Sequence, residues 1–295
     1  MKPDVVCVGV ITIDTIASVE RYPGEDERVI ADQIVRAGGG PAAVSAVALA
    51  RQGVSVAIVG TIGDDADGRE VMRIFEREGV DSSGVSVGPN PTAGSVIVAS
   101  REHHSRAIST RQPPIQNTPN SYAVSLASQA KWIHCDHVGI TQLSALDISR
   151  GKGPLISFDA GYGVETFDAS LVDLFVPTDR QMAMRHPGLS LEEALKKDSS
   201  VGQNIVVATR GSQGSAAISN GKYYEAKGFN VEVLSTLGAG DVFHGALVAQ
   251  MVQGYEISVA LLRANAVAAI SCRGLDGQSA IPTLSELENY LEKNS

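Results

Sequence analysis

Cysteine is scarce in this chain. Cys7, Cys135 and Cys272 are odd in number, far apart and set in apolar surroundings. That argues against a disulfide framework and reads as buried thiols in a reducing compartment, the cytoplasm. Basic charge is also short: 24 Lys and Arg against 33 Asp and Glu leave a net charge of −9, with no Lys/Arg-rich stripe. A nucleic-acid partner is disfavoured on that ground. No apolar run reaches the length of a membrane span, so no membrane partner is expected. The opening "MKPDVVCVGVITID" lacks a basic region followed by a hydrophobic run and a cleavage site, and no export is expected. What is present is ordinary globular usage, 43% hydrophobic and 19% charged over 295 residues, enough for a sizeable core.

Short apolar runs alternate with segments of helical period. Residues 5–11, 54–62, 131–139, 154–161, 174–178 and 204–211 read as buried strands. Residues 41–53, 67–79, 121–130, 190–198, 241–254 and 258–274 read as helices. The alternation predicts an α/β fold, a mostly parallel central sheet flanked by helices, within one domain spanning 1–295. Ligands of such sheets sit at the carboxyl ends of the strands, where Gly and Asp cluster here. Segments 15–36 and 92–112 break the rhythm with β-branched residues and hairpin-like turns. They are read as a small separate sheet, a lid over the site. The plain alternative is a pair of surface hairpins. The Pro-rich 111–120 reads as a connecting loop.

"GAGD" at 238–241 opens an apolar helical run. Taken alone it reads equally as a small-residue helix start with an acidic early-turn stabiliser. Its functional reading is an anion hole, Gly238, Ala239 and Gly240, beside a catalytic base, Asp241. Phosphoryl transfer needs both: amides for the charge on the moving group and a carboxylate for the proton of the attacking hydroxyl. The helix end is expected to lower the pKa of Asp241. A second glycine-rich turn, "RAGGGPAA" at 36–43, could bring bare backbone to a polar ligand. Neither G-x-G-x-x-G nor G-x-x-x-x-G-K-[ST] is met.

"GVITID" (9–14), "AGGGPAA" (37–43), "IGDDADG" (62–68) with "EREGVDSSGV" (76–85), "VVATRGSQGS" (206–215) and "STLGAGDVFHGAL" (235–247) together resemble the ribokinase-type (PfkB) carbohydrate kinases over essentially the whole chain. The resemblance implies a ribokinase-like fold and ATP-dependent transfer to a hydroxyl of a sugar or sugar derivative. It implies Asp241 as base, residues 238–240 as anion hole, and Asp14, Gly39 and Gly40 as sugar contacts. It also implies Thr209, Gly211 and Gly214 on the nucleotide side, with Asn265 near the adenine. ATP with Mg2+ would be the cofactor. Three departures stand out. Ala43 and Val44 occupy the neighbourhood of a usual Asn. Ser235-Thr236 replaces Asp-Thr, which leaves monovalent-cation activation open. The Asn-x-x-Glu associated with magnesium is not recognisable in 176–188, so no metal ligand is assigned. The GGGPAA form is similar to bacterial sulfofructose kinases, with Arg28 where a basic residue meets the sulfonate, although Thr110 and Val138 stand where Asn and Arg are expected.

Other features carry plainer readings. In "HCDH" (134–137) strand alternation turns His134 and Asp136 one way and Cys135 and His137 the other, so one metal cannot collect them. Asp136 or His137 could touch substrate at the strand end. His103-His104 reads as a hairpin turn. Asp159 could reach the site or cap the next turn. Arg28, Arg106 and Arg111 sit on the lid segments; 106 and 111 face opposite sides, and Arg111 is favoured to join Arg28 at an anionic acceptor. Alternatively these arginines pair with Glu25, Asp26 and Glu27. Competing functions are a nucleoside kinase of the same fold and a sugar-binding regulator without catalysis. A homodimer paired through the lid is also expected.

Overall fold

The computed structural model describes residues 2–103, 105–112, 118–161, 166–202 and 204–294. Part of the Pro-rich loop reading, 113–117, and the His104 half of the turn reading lie outside these residues.

Strand β1 (Val5–Val8) shows why the parallel sheet forms. All four residues are buried, Val5 and Cys7 in the core on one face and Val6 and Val8 in the core on the other. A run apolar on both sides is stable only between two helical layers. β1 pairs in parallel with β4 (Val56–Gly63) and β8 (Trp132–Cys135). β5 (Asp81–Gly88) lies beyond β4. On the other flank follow β9 (Leu155–Asp159), β10 (Leu174–Val176) and β11 (Ile205–Thr209), all parallel. The antiparallel β12 (Ser215–Ser219) and β13 (Lys222–Ala226) close a nine-stranded sheet. Helices α1 (Pro41–Arg51), α2 (Ala66–Glu78), α6 (Ala239–Val252), α7 (Ile257–Ser271) and α8 (Leu284–Asn294) cover one face. α3 (Ser121–Gln129), α4 (Asp179–Arg185) and α5 (Leu191–Gly202) cover the other. No described helix is long and apolar enough to cross a membrane.

A second sheet, order β3-β2-β6-β7, comprises β2 (Thr12–Val19), β3 (Ala31–Gly39), β6 (Ala93–Ser100) and β7 (Ser105–Arg111). The expected small sheet is therefore present, but β2 starts at Thr12 and β3 runs on to Gly39, so Asp14 and Gly39 belong to it. The first strand stops at Val8 rather than 11, and β8 at Cys135 rather than 139. Both end where Asp136 gathers amides: Val10 N donates to its Oδ2 at 2.6 Å, and Val138 N and Gly139 N to its Oδ1 at 2.9 and 2.8 Å. All three cysteines are buried and free.

Candidate active site

The carboxyl ends of β1, β8, β9, β10 and β11 point to one rim of the large sheet, and the small sheet meets that rim. Its inner face follows from register. Asp14 lies opposite Ala37 and Ser95, Ser95 opposite Thr110, and Ala99 opposite Arg106. Ile16 and Ile97 anchor this face by packing with Leu275.

Asp14 is buried, and its Oδ1 accepts the Ser95 amide at 3.0 Å. Burial raises its pKa, partly offset by hydrogen bonding from Ser95. Gly39 is required beside it, since a Cβ there would sit 2.0 Å from Asp14 Oδ2. Gly40 has φ 90° and would drive a Cβ to 2.4 Å from the Val10 carbonyl. Thr12 Oγ1, on the same face as Asp14, is buried without a hydrogen-bond partner among the described residues. Asp14, Gly39 and Gly40 are thus brought together. One amide of the helix start behind them is already engaged: Ala42 N points at Asp136 Oδ2, 3.3 Å away. Asp136 is 1% exposed and serves the turn, so it does not reach a substrate.

Gly38 abuts Gln278, and Gly238 abuts Gly277, so the sugar-side turn and the start of α6 lean on one segment. Gly238 is left-handed at φ 72°, a conformation glycine adopts without strain. The Ala239 amide turns back to the Thr236 carbonyl at 3.3 Å, while Gly240 is exposed and faces open space. Asp241 follows in the first turn, its carbonyl accepting Ser45 Oγ at 2.9 Å. The expectation of a lowered pKa is overturned here. Burial, the negative charges of Asp159 and Asp136 and the Asp159 hydrogen bond raise Asp241 well above the usual carboxylate range, and Arg106 offsets them only partly. Charges in contact outweigh a helix end worth about half an elementary charge.

A cavity of about 440 Å3 opens beside Gly240. Thr209, Gly211, Gly214 and Asn265, read from the sequence as the nucleotide side, all line it, as do Ala239, Gly240, Thr178, Asp179 and Arg106. Asn265 is held by the carbonyls of Ala226 and Lys227 at 3.1 and 3.2 Å. The pocket brings residues of β11, α6, α7 and the small sheet into one space.

The arginines sort differently from the sequence reading. They do face opposite sides, but Arg106 is the one on the inner face, donating to Thr236 Oγ1 at 3.0 Å. Arg111 lies on the outer face, its Nε donating to the Thr92 carbonyl at 3.0 Å and its Nη2 3.4 Å from Asp67. Arg28 is exposed on the loop between β2 and β3 and has no ion pair among the described residues; Glu27 is taken by Arg21. Arg28 and Arg111 are therefore not gathered with Asp241. Asp159 does reach the site, at 3.0 Å from His244 Nδ1 and hydrogen-bonded with Asp241. His244 was missed in the sequence, where it sits inside an apolar run with nothing local to mark it. No cluster of three metal-binding side chains occurs among the described residues.

The comparisons with known proteins agree with this geometry. Residues 2–284 match the pfkB family carbohydrate kinase. Ribokinase from Haemophilus influenzae is 27% identical over 307 residues, covering 99% of each chain. Arabidopsis thaliana ribokinase, solved with ribose and ATP, superposes with a TM-score of 0.81 at 22% identity, covering 99% of both chains. A Burkholderia thailandensis nucleoside kinase in complex with inosine gives 0.79 at 19%, covering 98% of both. A glycine-gated helix start carrying a carboxylate, a nucleotide-sized pocket beside it and a family match over nearly the whole length lead to one assignment: the chain belongs to the pfkB family of carbohydrate kinases, ATP-dependent phosphotransferases of the ribokinase type.

Proposed function

We propose that this kinase phosphorylates a hydroxyl, a primary one, of a sugar or sugar derivative, and that it accepts sugars bearing an anionic group such as sulfofructose. The observation that carries the sugar reading is the Thr12–Asp14–Gly39 corner. A buried carboxylate and an unsatisfied hydroxyl lie against a residue with no side chain, which suits a ligand rich in hydroxyls. Ser95 and Thr110 extend this polar strip, their hydroxyls 3.3 Å apart. A nucleoside base would favour an apolar surface, and most apolar residues of this face are already packed with Leu275 and Leu237, leaving Ile108 exposed.

Asp241 takes the proton of the acceptor hydroxyl while the α6 start receives the γ-phosphoryl group. Magnesium would enter with ATP. It is commonly held by one or two carboxylates plus phosphate oxygens, and Asp179 supplies a carboxylate on the pocket wall, so the residues present fit it. Its chemistry there is to neutralise phosphate charge. Ser235 and Thr236 hydroxyls are engaged by Leu237 N and Arg106, which gives monovalent-cation activation no support. Arg106 is the cation placed to meet an acceptor's sulfonate, phosphate or carboxylate.

An ADP-release screen with ATP and magnesium over hexoses, ketoses, sugar phosphates, sulfosugars and nucleosides tests the reading. A sugar is expected to be the best acceptor. A nucleoside as best acceptor overturns the sugar assignment, and sugar binding without ADP release makes the protein a regulator.

A further inference from the structure

Behind Asp241 three ionisable side chains are packed together. Asp159 ends β9, and the turn that follows it is pinned by Gln181, whose Nε2 donates to the Gly161 carbonyl at 3.1 Å and also to the Ala160 carbonyl. Its Oδ2 lies 3.0 Å from His244 Nδ1, an ion-pair distance without hydrogen-bond alignment. His244 is one turn along α6 from Asp241, on the same side of the helix, and 5% exposed. The edge of the His134 ring meets it at 6.1 Å between centroids. His134 is fixed at both nitrogens, 3.2 Å from Ser157 Oγ and 3.1 Å from Ser45 Oγ. Because Ser45 Oγ donates to the Asp241 carbonyl, it accepts from His134 Nε2, and Nδ1 accepts from Ser157. Burial lowers the pKa of His134 to about 3, so it stays neutral.

Two carboxylates in contact do not both ionise unless a cation stands beside them. The geometry points to His244 as that cation: its imidazolium, held on Asp159 Oδ2, offsets the charge of Asp159 and so lets Asp241 give up its proton and act as base. This inference rests on the kinase reading above. In the step it serves, the acceptor O–H bond breaks, the proton passes to an Asp241 carboxylate oxygen, the acceptor oxygen bonds to phosphorus and ADP leaves with the bridging electron pair. Asp159 and His244 touch no substrate and are positioning residues. The other groups facing the pair are neutral Ser45 from α1, neutral His134 from β8 and Asp136 just past it, and Arg106 from β7. Arg263 of α7 is held by Gln250 and Glu288.

The test is the pH profile of kcat/KM for His244→Gln, Asp159→Asn and the double variant, each checked for folding by circular dichroism. In His244→Gln the acid limb is expected to rise by ~1 pH unit or more, with kcat/KM at pH 6 down ~10-fold and KM for ATP unchanged. Asp159→Asn moves the limb down, and in that background His244→Gln adds nothing. A His244→Gln limb that coincides with the parent's, or an equal shift in both backgrounds, overturns the inference. NMR of the His244 ring reads the pair without turnover: the protonated-ring signal at pH 6 should weaken in Asp159→Asn, and no change overturns the inference. This arm decides the pair even if His244→Gln does not fold or the screen finds no acceptor, a result that would sink the kinase reading alone.

Discussion

Asp241 sits where a helix end favours its ionised form and its neighbours oppose it. The neighbours win, because desolvation in a partly buried position and the charge of Asp159 exceed the effect of a few partly screened amides. Asp241→Asn keeps the shape and removes the base, so turnover should fall by two or more orders of magnitude with ATP affinity nearly intact; single-turnover kinetics with ATP titration check this. A variant retaining most of its activity removes Asp241 as base. At Arg106 the expected loss depends on the acceptor. Arg106→Ala should raise KM for an anionic sugar about tenfold or more, from a charge-assisted contact of roughly 1.5–3 kcal/mol, while Arg28→Ala and Arg111→Ala leave it near the parent value. Steady-state kinetics on a sulfonated and a neutral acceptor separate these outcomes. Equal KM for all three variants removes the anionic part of the substrate proposal.

One polar link between the small sheet and the body is Asp65. Asp65 caps α2, accepting Gly68 N at 2.8 Å, and its carboxylate also takes Thr92 N and Thr92 Oγ1 at 2.8 and 2.7 Å, immediately before β6. Burial alone would raise its pKa, but the Thr92 hydroxyl and the two amides outweigh it, and the net shift is downward from 3.8. A lowered folded-state pKa stabilises above the unfolded value and is lost as pH falls. Asp65→Ala should therefore cost ~1 kcal/mol at pH 7, a difference that shrinks below about pH 4 in denaturant melts. Motion of the lid is a separate expectation. β7 is exposed along its whole length, and hydrogen exchange in 15–36 and 92–112 should slow when sugar binds. Equal protection with and without sugar counts against closure. At this scale the sequence was legible where burial is uniform. β1 is an unbroken apolar run and β4 is buried throughout, whereas β5, β12 and β13 carry Ser, Gly and charged residues at the sheet's margins and escaped notice. α4 and α8 escaped because they bury one side chain each, Met182 and Leu287.

For the whole molecule, the motif order gave the family and the candidate base, and Asp159 was read as able to reach the site, while its pairing with His244 came only from packing. His244 looks like core in an apolar helix, and nothing in the local sequence pairs it with Asp159, 85 positions earlier in numbering. The choice between Arg106 and Arg111 needed the β6–β7 register, which parity along one strand does not supply. The outer face of the small sheet leaves Ile34 and Val96 67% and 59% exposed. We expect this face to pair two copies of the chain. Sedimentation should show a dimer that Ile34→Glu with Val96→Glu converts to monomer, and a monomeric parent chain would end that expectation.

The amides that Asp136 collects also govern how the chain can be made. Val10 and Ala42 leave the ribosome long before their acceptor, which comes 126 and 94 residues later. Until β8 arrives, β1 has only β4 beside it and its other edge is open. A nascent chain of that length exposes an apolar strand edge to any neighbouring polypeptide, so biogenesis depends on holding the N-terminal third apart until the middle of the protein has been synthesised.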